Sequence, residues 1–506
     1  MKTCMKLAVL GGALLALSFG AQAADPVAPG FVTYAPPAGT ARDSGEPSIG
    51  YNPKLHHAMY VGGFDPVFQV SFPDEMSPPQ PANCPAQWKN VDTPFADGAT
   101  LTFDPILFTD QNTGRTFVSQ LIEVTSRYAY SDDDGATWTP GQLGGLPNGG
   151  IDHQTVGSGP YPASLPLGTP ANLNAAVYYC SQNGYATCQR SDDGGLTFGP
   201  GTPAFNGITD GCSQYHGHIK VAPDGAAYLP NAACGDKQVV SVSENAGVSW
   251  ELRPVTPSTP TPGKWDPSVA VGKANTIYYC RGDADGHVRI AASKDHGKTW
   301  FNDFDVGAAF KIENVAFPEA VAGDDDRAAC AFLGTTVPGN YEAQDFPGVW
   351  YGYVAQTFDG GKTWTTSLVT PNDPVQREGG ICISGTGCSG GNRNLLDFNE
   401  VTIDDKGRVL FGYADGCTGN CADFSGDNKF ESEARITRQV TGKTLFAQFD
   451  GADLAGPKGS CPAGTAATVV AAAAQETAKT SRFGGALNAL LLLPLLGLGL
   501  LRRRRV

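Results

Sequence analysis

An eight-residue motif occurs five times in the chain, and no other sequence feature limits the fold as strongly. The copies are SDDDGATW (131–138), SDDGGLTF (191–198), SENAGVSW (243–250), SKDHGKTW (293–300) and TFDGGKTW (357–364). Their first residues are 60, 52, 50 and 64 positions apart, and each copy lies between two short runs of strand-forming residues. Repetition at this period indicates a fold built from similar supersecondary units.

The residue types of the octet fit a tight hairpin turn. Its glycine supplies the positive φ that such a turn needs. The carboxylate two positions after the Ser or Thr can accept hydrogen bonds from turn amides, and Asn245 can do the same in the third copy. The closing Trp or Phe can bury an apolar face between neighbouring repeats. We therefore expect each octet to be a structural turn, although its acidic residues could also be interpreted as calcium ligands.

A second repeated pattern lies upstream of the octets, where an acidic residue or a histidine precedes a short apolar strand. Its seven members are Glu46, Asp104, Asp152, His216, Asp266, Glu319 and Glu400. We interpret each as the start of the innermost strand of a blade. This predicts an all-β fold, a β-propeller of seven four-stranded blades, with six blades as the alternative. We expect residues 31–35 to complete the last blade and close the ring, because closure removes exposed strand edges.

The octet resembles the Asp-box, or BNR repeat, of sialidases and sialidase-like propellers, and the resemblance covers most of the chain between its termini. It implies that the octets lie on the outer part of the blades, remote from the substrate face. It also implies a protein directed at glycans, with exo-sialidase-like glycoside hydrolysis as the activity. The Arg-Ile-Pro motif of sialidases does not occur, since Arg42 is followed by Asp43. The alternative is a non-catalytic surface propeller that binds a divalent cation, a glycan or a protein.

If the inner strands run in parallel around the axis, their first residues converge at one mouth of the channel. We predict general acid–base roles there for Asp152, Glu319 and Asp266. We predict ligand-binding roles for Glu46, Asp104, Glu400, Arg327 and Arg393, since arginine can bind a carboxylate through two hydrogen bonds. Two other interpretations stay open: the acidic residues cap strand ends, and the two arginines form internal salt bridges.

Three of the seven histidines lie in the same upstream segments. His153, His216 and His218, with Asp152 and Asp266, form the predicted site for a divalent cation. Mixed nitrogen and oxygen ligands suit zinc or manganese better than calcium, which prefers oxygen alone. No other cofactor is indicated.

The cysteines and the charge indicate an exported protein that does not bind nucleic acid. Of thirteen cysteines, Cys4 lies near the N-terminus, and the other twelve are scattered in spacings unlike those of metal sites. We expect six disulfides, for which sequence neighbours and repeat positions suggest Cys180–Cys188, Cys212–Cys234, Cys382–Cys388, Cys417–Cys421, Cys280–Cys330 and Cys84–Cys461. The net charge of −15 includes six positive charges in the terminal segments, so the remainder carries −21 and repels phosphate backbones.

Both ends of the chain have the pattern of targeting signals. Residues 1–23 are a predicted signal peptide, 24–454 the propeller, 455–482 an Ala/Thr-rich linker and 483–506 a C-terminal tail. The tail contains Gly484 and Gly485, an apolar stretch and four terminal arginines. It resembles the GlyGly-CTERM sorting signal, which implies cleavage by a rhombosortase-like protease and a location at the bacterial surface or in the medium after transient anchoring. An ordinary membrane anchor is the alternative.

We predict that the mature protein lacks the four terminal arginines, because sorting would cut near Gly484 and Gly485. Mass spectrometry of the C-terminal peptide from cell-surface and medium fractions checks this. Recovery of that peptide with Arg502–Arg505 intact would identify an ordinary anchor instead.

Overall fold

A computed structural model describes residues 28–63, 67–93, 103–122, 125–142, 152–165, 175–182, 185–213, 215–256, 266–384, 388, 392–462, 471–472 and 475–478. Their strands form seven antiparallel sheets arranged as the blades of a propeller. Six blades take consecutive strands of the chain, whereas the seventh combines strands from both ends. The prediction of seven four-stranded blades is therefore confirmed.

Blade 1 contains β2 (Ser48–Asn52), β3 (His57–Val61), β4 (Phe68–Ser71) and β5 (Gln87–Asn90). Blade 2 contains β6 (Phe103–Thr109), β7 (Thr116–Ile122), β8 (Thr125–Ser131) and β9 (Thr139–Pro140). Blade 3 contains β10 (Asp152–Gly159), β11 (Ala176–Gln182), β12 (Tyr185–Ser191) and β13 (Thr202–Asn206).

Blade 4 contains β14 (Lys220–Val221), β15 (Ala227–Cys234), β16 (Lys237–Ser243) and β17 (Glu251–Pro254). Blade 5 contains β18 (Ser268–Val271), β19 (Ile277–Gly282), β20 (Val288–Ser293) and β21 (Phe301–Asp305). Blade 6 contains β22 (Asn314–Ala322), β23 (Ala328–Thr335), β24 (Tyr351–Thr357) and β25 (Trp364–Leu368).

Blade 7 closes the ring. It contains β26 (Glu400–Ile403), β27 (Val409–Asp415) and β28 (Glu433–Thr441), and its outer strand is β1 (Gly30–Tyr34) from the other end of the chain. β1 is antiparallel to β28, with Val32 opposite Arg438. The predicted closure is thus confirmed, with the strand one residue earlier than expected. Two short strands, β29 (Ala471–Ala472) and β30 (Gln475–Ala478), pair with β1 and β25.

Every octet connects the third strand of its blade to the fourth, so the octets are outer hairpin turns as expected. In the fourth copy the Gly297 amide donates to Ser293 Oγ (2.9 Å), and the Thr299 amide donates to Asp295 Oδ1 (2.8 Å). Burial opposes the charge of Asp295, but the hydrogen bonds from Thr299 outweigh it and lower the pKa of Asp295 to about 2. In the third copy Asn245 Oδ1 accepts from the Ser249 amide (2.9 Å), as the sequence predicts.

The octets also join neighbouring blades through a contact that sequence inspection did not predict. A side chain of the preceding blade donates to the carbonyl oxygen of the fourth octet residue: Arg115 to Gly194 (2.6 Å), Arg190 to Ala246 (2.6 Å), Arg253 to His296 (2.8 Å) and Asn302 to Gly360 (3.0 Å). The acceptor residues have φ between 58° and 76°. The octets therefore form a series of inter-blade hydrogen bonds on one face.

Between blades 7 and 1 a buried ion network takes the place of that contact. Arg408 and Arg438 are fully buried, and each contacts Asp74, Glu75 and Asp404. Asp74 and Glu75 lie in a 3-10 helix (Pro73–Glu75) between β4 and β5. Burial raises the pKa of Asp74, but the charges of Arg438 and Arg408 outweigh burial, and the net shift is downward. The network fixes blade 1 to the blade that contains β1.

The six disulfides have the expected partners: Cys84–Cys461, Cys180–Cys188, Cys212–Cys234, Cys280–Cys330, Cys382–Cys388 and Cys417–Cys421. They point to an oxidising compartment. Among the described residues, the other two 3-10 helices are Ala308–Phe310 and Ala447–Phe449. In the described part of the chain, no helix has the length and apolar character needed to cross a membrane.

We expect Arg408→Met to lower the free energy of unfolding by about 3 to 5 kcal/mol, because three buried carboxylates then share the single guanidinium of Arg438. Urea denaturation at pH 7 measures the change. Arg42→Met, at an exposed arginine, is the matched control. Equal stability of the two variants would contradict a structural role for the network.

Candidate functional site

The acidic and histidine residues singled out in the sequence lie at one mouth of the channel, but Glu319 lies within β22 (Asn314–Ala322) and not at its start as predicted. Within a blade the strands alternate in direction, so the start of the inner strand and the octet lie on opposite faces. Arg327 lies on the octet face, where it binds Asp450 through two hydrogen bonds (2.7 and 2.8 Å) and its guanidinium is 5.4 Å from the ring of Phe358. The prediction that Arg327 binds ligand at the mouth is therefore corrected: it forms a salt bridge on the other face.

Irregular backbone marks three inner strands at this mouth. The pairing register shifts between Phe103 and Ile106, between Asp152 and Gln154, and between Ala316 and Glu319. At these shifts Asp104, His153 and Phe317 have φ of 45°, 54° and 53°, in the left-handed region. Such bulges redirect side chains and are common beside functional sites.

A first cluster, the Glu46 group, consists of Glu46, Asp104, Asp397 and Arg393. One oxygen of each of the three carboxylates lies within 4.8 Å of the others. Arg393 binds Asp397 through two hydrogen bonds (2.6 and 3.1 Å). Burial raises the pKa of Glu46 well above its usual range, and the charges of Asp104 and Asp397 add to that shift. Burial and the two neighbouring carboxyl groups therefore favour the neutral form of Glu46.

A second cluster, the His153 group, consists of His153, Asp266 and His216. His153 Nε2 lies 2.6 Å from Asp266 Oδ2, and the His153 and His216 ring centroids are 5.2 Å apart. Burial opposes the charge of His153, but the carboxylate of Asp266 outweighs it and raises the pKa of His153 to about 9. Burial, and then the charge of His153, lower the pKa of His216 well below its usual range. A charged and a neutral imidazole therefore lie side by side.

Gly217, between His216 and His218, allows two blades to contact each other closely. A Cβ at Gly217 would lie 2.0 Å from the carbonyl oxygen of Pro267, which belongs to the next blade. No larger side chain fits at that distance, so glycine lets the two inner strands approach each other closely at the mouth.

A third cluster, the Glu400 group, consists of His218, Glu319, Glu400 and Lys220. His218 Nδ1 lies 2.6 Å from Glu400 Oε2 and 3.7 Å from Glu319 Oε1, and Lys220 Nζ lies 3.3 Å from Glu400 Oε1. Burial and the charge of Glu400 raise the pKa of Glu319. Burial alone would raise the pKa of Glu400, but the charges of Lys220 and His218 outweigh burial and lower that pKa.

Phe398 separates the last two clusters. Its ring lies 5.0 Å from that of His218 and 6.3 Å from that of His153. Phe398 is buried, whereas Tyr215, which stacks on His153 at 5.3 Å, is 45% exposed. The mouth therefore presents an exposed aromatic ring above a layer of buried charges.

Below the mouth, the inner strands of all seven blades line a cavity of about 210 Å³. Its wall combines aliphatic side chains, such as Ile49, Leu107 and Val401, with polar ones, such as Asp110, Gln111 and Thr402. Lys220 and Glu400 also belong to this wall, so the Glu400 group borders the channel.

The structure regroups the predicted site residues. The predicted acid–base set does not form one cluster, because Asp266 contacts His153 while Glu319 contacts Ser268 and lies near His218. The predicted metal set is likewise divided between the last two clusters. Asp152 begins β10, but its side chain lies outside the described residues.

Sequence reasoning missed three further residues of the mouth. Lys220 continues the alternation of His216 and His218 along one face of the strand, and this period of two could have identified it. Asp397 and Phe398 come from the connection between blades 6 and 7, and their sequence carries no comparable signal.

The chain matches no protein-family model, and no curated protein matches it. Solved structures similar to it include a Dyadobacter fermentans protein of unknown function (13% identity, 68% of this chain and 95% of that chain, TM-score 0.40). Others are YCF48 bound to D1 peptide (11%, 81% and 94%, TM-score 0.44) and a Hadza microbial sialidase (14%, 76% and 73%, TM-score 0.39). At these identities the likeness concerns the fold alone, and the sheets of this chain themselves establish the seven blades.

The His153–Asp266 pair predicts a pH dependence of stability. The pKa of histidine is about 6.5 in an unfolded chain and about 9 for His153 in the folded protein. The stability that this shift contributes is therefore present below pH 6.5 and is lost as the pH rises to 9, with a magnitude on the order of 3 kcal/mol.

Asp266→Asn should remove that part of the pH dependence. Urea denaturation at pH 6.5, 7.5 and 9 measures it, with Asp285→Asn as a control at an exposed acid of the same blade. If the wild type and Asp266→Asn lose the same free energy of unfolding between pH 6.5 and pH 9, the pair does not contribute to the pH dependence.

Proposed function

We propose that the protein is an exported, glycan-directed propeller of the sialidase-like kind, and that the Glu46 group is the acid–base centre of a glycoside hydrolase. The observation that carries this proposal is a buried carboxyl with a strongly raised pKa, Glu46, next to the carboxylates of Asp104 and Asp397. Pairs of carboxyl groups whose environments separate their pKa values are typical of enzymes that cleave glycosidic bonds.

In this proposal Glu46 is the general acid and Asp104 is the second carboxyl group of the pair. Glu46 would protonate the leaving-group oxygen as the glycosidic bond breaks and Asp104 bonds to the sugar carbon. A water deprotonated by Glu46 would then displace Asp104 and release the sugar. One oxygen of Glu46 lies within 4.8 Å of one oxygen of Asp104. This is near the spacing of about 5 Å in retaining glycosidases, whose second carboxylate attacks the sugar directly instead of activating a water. Inverting enzymes need about 6.5 to 9.5 Å for that water, so we expect retention of configuration.

Arg393 and Asp397 would position this pair. The guanidinium is fixed by its two hydrogen bonds to Asp397, and its charge acts on Glu46 in the direction opposite to the two carboxylates. Sialidases hold the sialate carboxylate with three arginines, whereas Arg327 lies on the other face here. We therefore favour a glycan whose recognition does not depend on such a clamp.

Two further features support a glycan ligand outside the cell. Tyr215 presents an exposed ring at the mouth, and the flat apolar face of a sugar can stack on such a ring. The resemblance of the octets to Asp-boxes agrees with this ligand class. Six disulfides agree with export, and the C-terminal tail agrees with handling by a rhombosortase-like sorting protease.

A non-catalytic binding propeller is the second candidate, and the burial of Glu46 favours it. The side chain is only 4% exposed, so a ligand at the mouth would reach it only after the surrounding residues move. In that case the mouth would bind a glycan or a protein without cleaving a bond.

The test is hydrolysis of a panel of chromogenic glycosides, sialosides included, together with a glycan array. We expect Glu46→Gln to reduce hydrolysis by about 10²- to 10⁴-fold, the usual contribution of a general acid. Asp236→Asn, at an exposed acid of the same face, should leave activity unchanged. Array binding without any hydrolysis would support the binding propeller, and neither binding nor hydrolysis would contradict a glycan-directed function.

A further inference from the structure

We infer that the Glu400 group is a binding site for one divalent transition-metal ion, with His218, Glu319 and Glu400 as its ligands. The site is independent of the proposed hydrolase function, because none of these three residues belongs to the Glu46 group. It also differs from the set expected from the sequence, since only His218 is common to both.

Each of the two carboxylates has one oxygen that would not bind the ion, and that oxygen already has another partner. Glu400 Oε1 lies 3.3 Å from Lys220 Nζ, and Glu319 Oε2 accepts a hydrogen bond from Ser268 Oγ (2.7 Å). These contacts leave Glu400 Oε2 and Glu319 Oε1 directed at His218 Nδ1. Carboxylate ligands of metals are commonly held by such outer hydrogen bonds, which orient the ligating oxygen.

The three inner atoms have nearly the spacing of metal ligands. Adjacent ligands of an octahedral ion with bonds of about 2.1 Å are about 3.0 Å apart. His218 Nδ1 lies 3.7 Å from Glu319 Oε1 and 2.6 Å from Glu400 Oε2, and all three atoms lie within 4.8 Å of one another. To reach about 3.0 Å, His218 Nδ1 must approach Glu319 Oε1 by about 0.7 Å and separate from Glu400 Oε2 by about 0.4 Å, which are changes that side-chain rotation can supply.

A second, independent observation also indicates a missing partner. Nδ1 of His218, the proposed ligand atom, is buried and makes no hydrogen bond of normal geometry among the described residues, although Glu400 Oε2 lies 2.6 Å away. Buried polar atoms without partners call for an ion or a water.

The position of the group suits an ion. Glu400 and Lys220 border the channel cavity, which gives a path from solvent, while Phe398 covers His218 from the mouth. One imidazole with two carboxylates suits manganese or zinc, whereas magnesium and calcium prefer oxygen ligands alone.

The test is titration of protein freed of metal by EDTA with MnCl₂, ZnCl₂, MgCl₂ and CaCl₂, followed by calorimetry and thermal melts. We expect one manganese or zinc ion per chain and a higher melting temperature. We expect at least tenfold weaker binding to His218→Gln and to Glu319→Gln. Glu319→Gln can keep its contact with Ser268 and is the variant most able to fold, which circular dichroism verifies.

Glu46→Gln and Asp266→Asn, which alter the other two clusters, should bind the ion as the wild type does. Anomalous scattering from a manganese- or zinc-soaked crystal should give a peak between the three ligands. No stoichiometric binding, equal binding by the His218 and Glu319 variants, or a peak elsewhere would overturn the inference. Glycoside hydrolysis assayed with and without EDTA separates a failure here from a failure of the hydrolase proposal.

Discussion

Closure of the ring is the constraint on which the rest of this structure depends. β1, from the start of the described chain, completes the blade made by β26, β27 and β28, and the buried contacts of Arg408 and Arg438 with Asp74, Glu75 and Asp404 join that blade to blade 1. Without this closure the inner strands of blades 1 and 7 would have no common axis. Glu46 and Glu400 would then be ends of separate sheets instead of parts of one mouth.

The two faces of the propeller carry different features, because the strands within each blade are antiparallel. The octets and the donors that bind their carbonyls lie on one face, where they hold the blades at a fixed angle. The starts of the inner strands lie on the other, where the converging blades bring charges together. Burying those charges is costly unless they are paired, and the pairs of His153 with Asp266 and of Glu400 with Lys220 supply that compensation.

Much of the candidate site could be predicted, but its grouping could not. The acidic or histidine residue at each inner strand identified Glu46, Asp104, His153, Asp266, Glu319 and Glu400 as residues of the mouth. Their partners depend on which way each side chain turns, and the bulges at Asp104, His153 and Glu319 change that direction. Arg327 shows the same difficulty, because its position after an inner strand places it on the opposite face, beside Asp450.

The sequence by itself determined the repeat and the turn chemistry of the octets, and it favoured seven blades, the closing strand and the six disulfide pairs. All of these depend on local residue types or on their spacing, which a linear pattern carries directly. Only the tertiary structure decided that His218 lies with Glu319 and Glu400, that Phe398 separates it from His153, and that Arg393 meets Asp397 near Glu46. Those contacts join residues up to hundreds of positions apart, and their geometry exists only once seven strands share one axis.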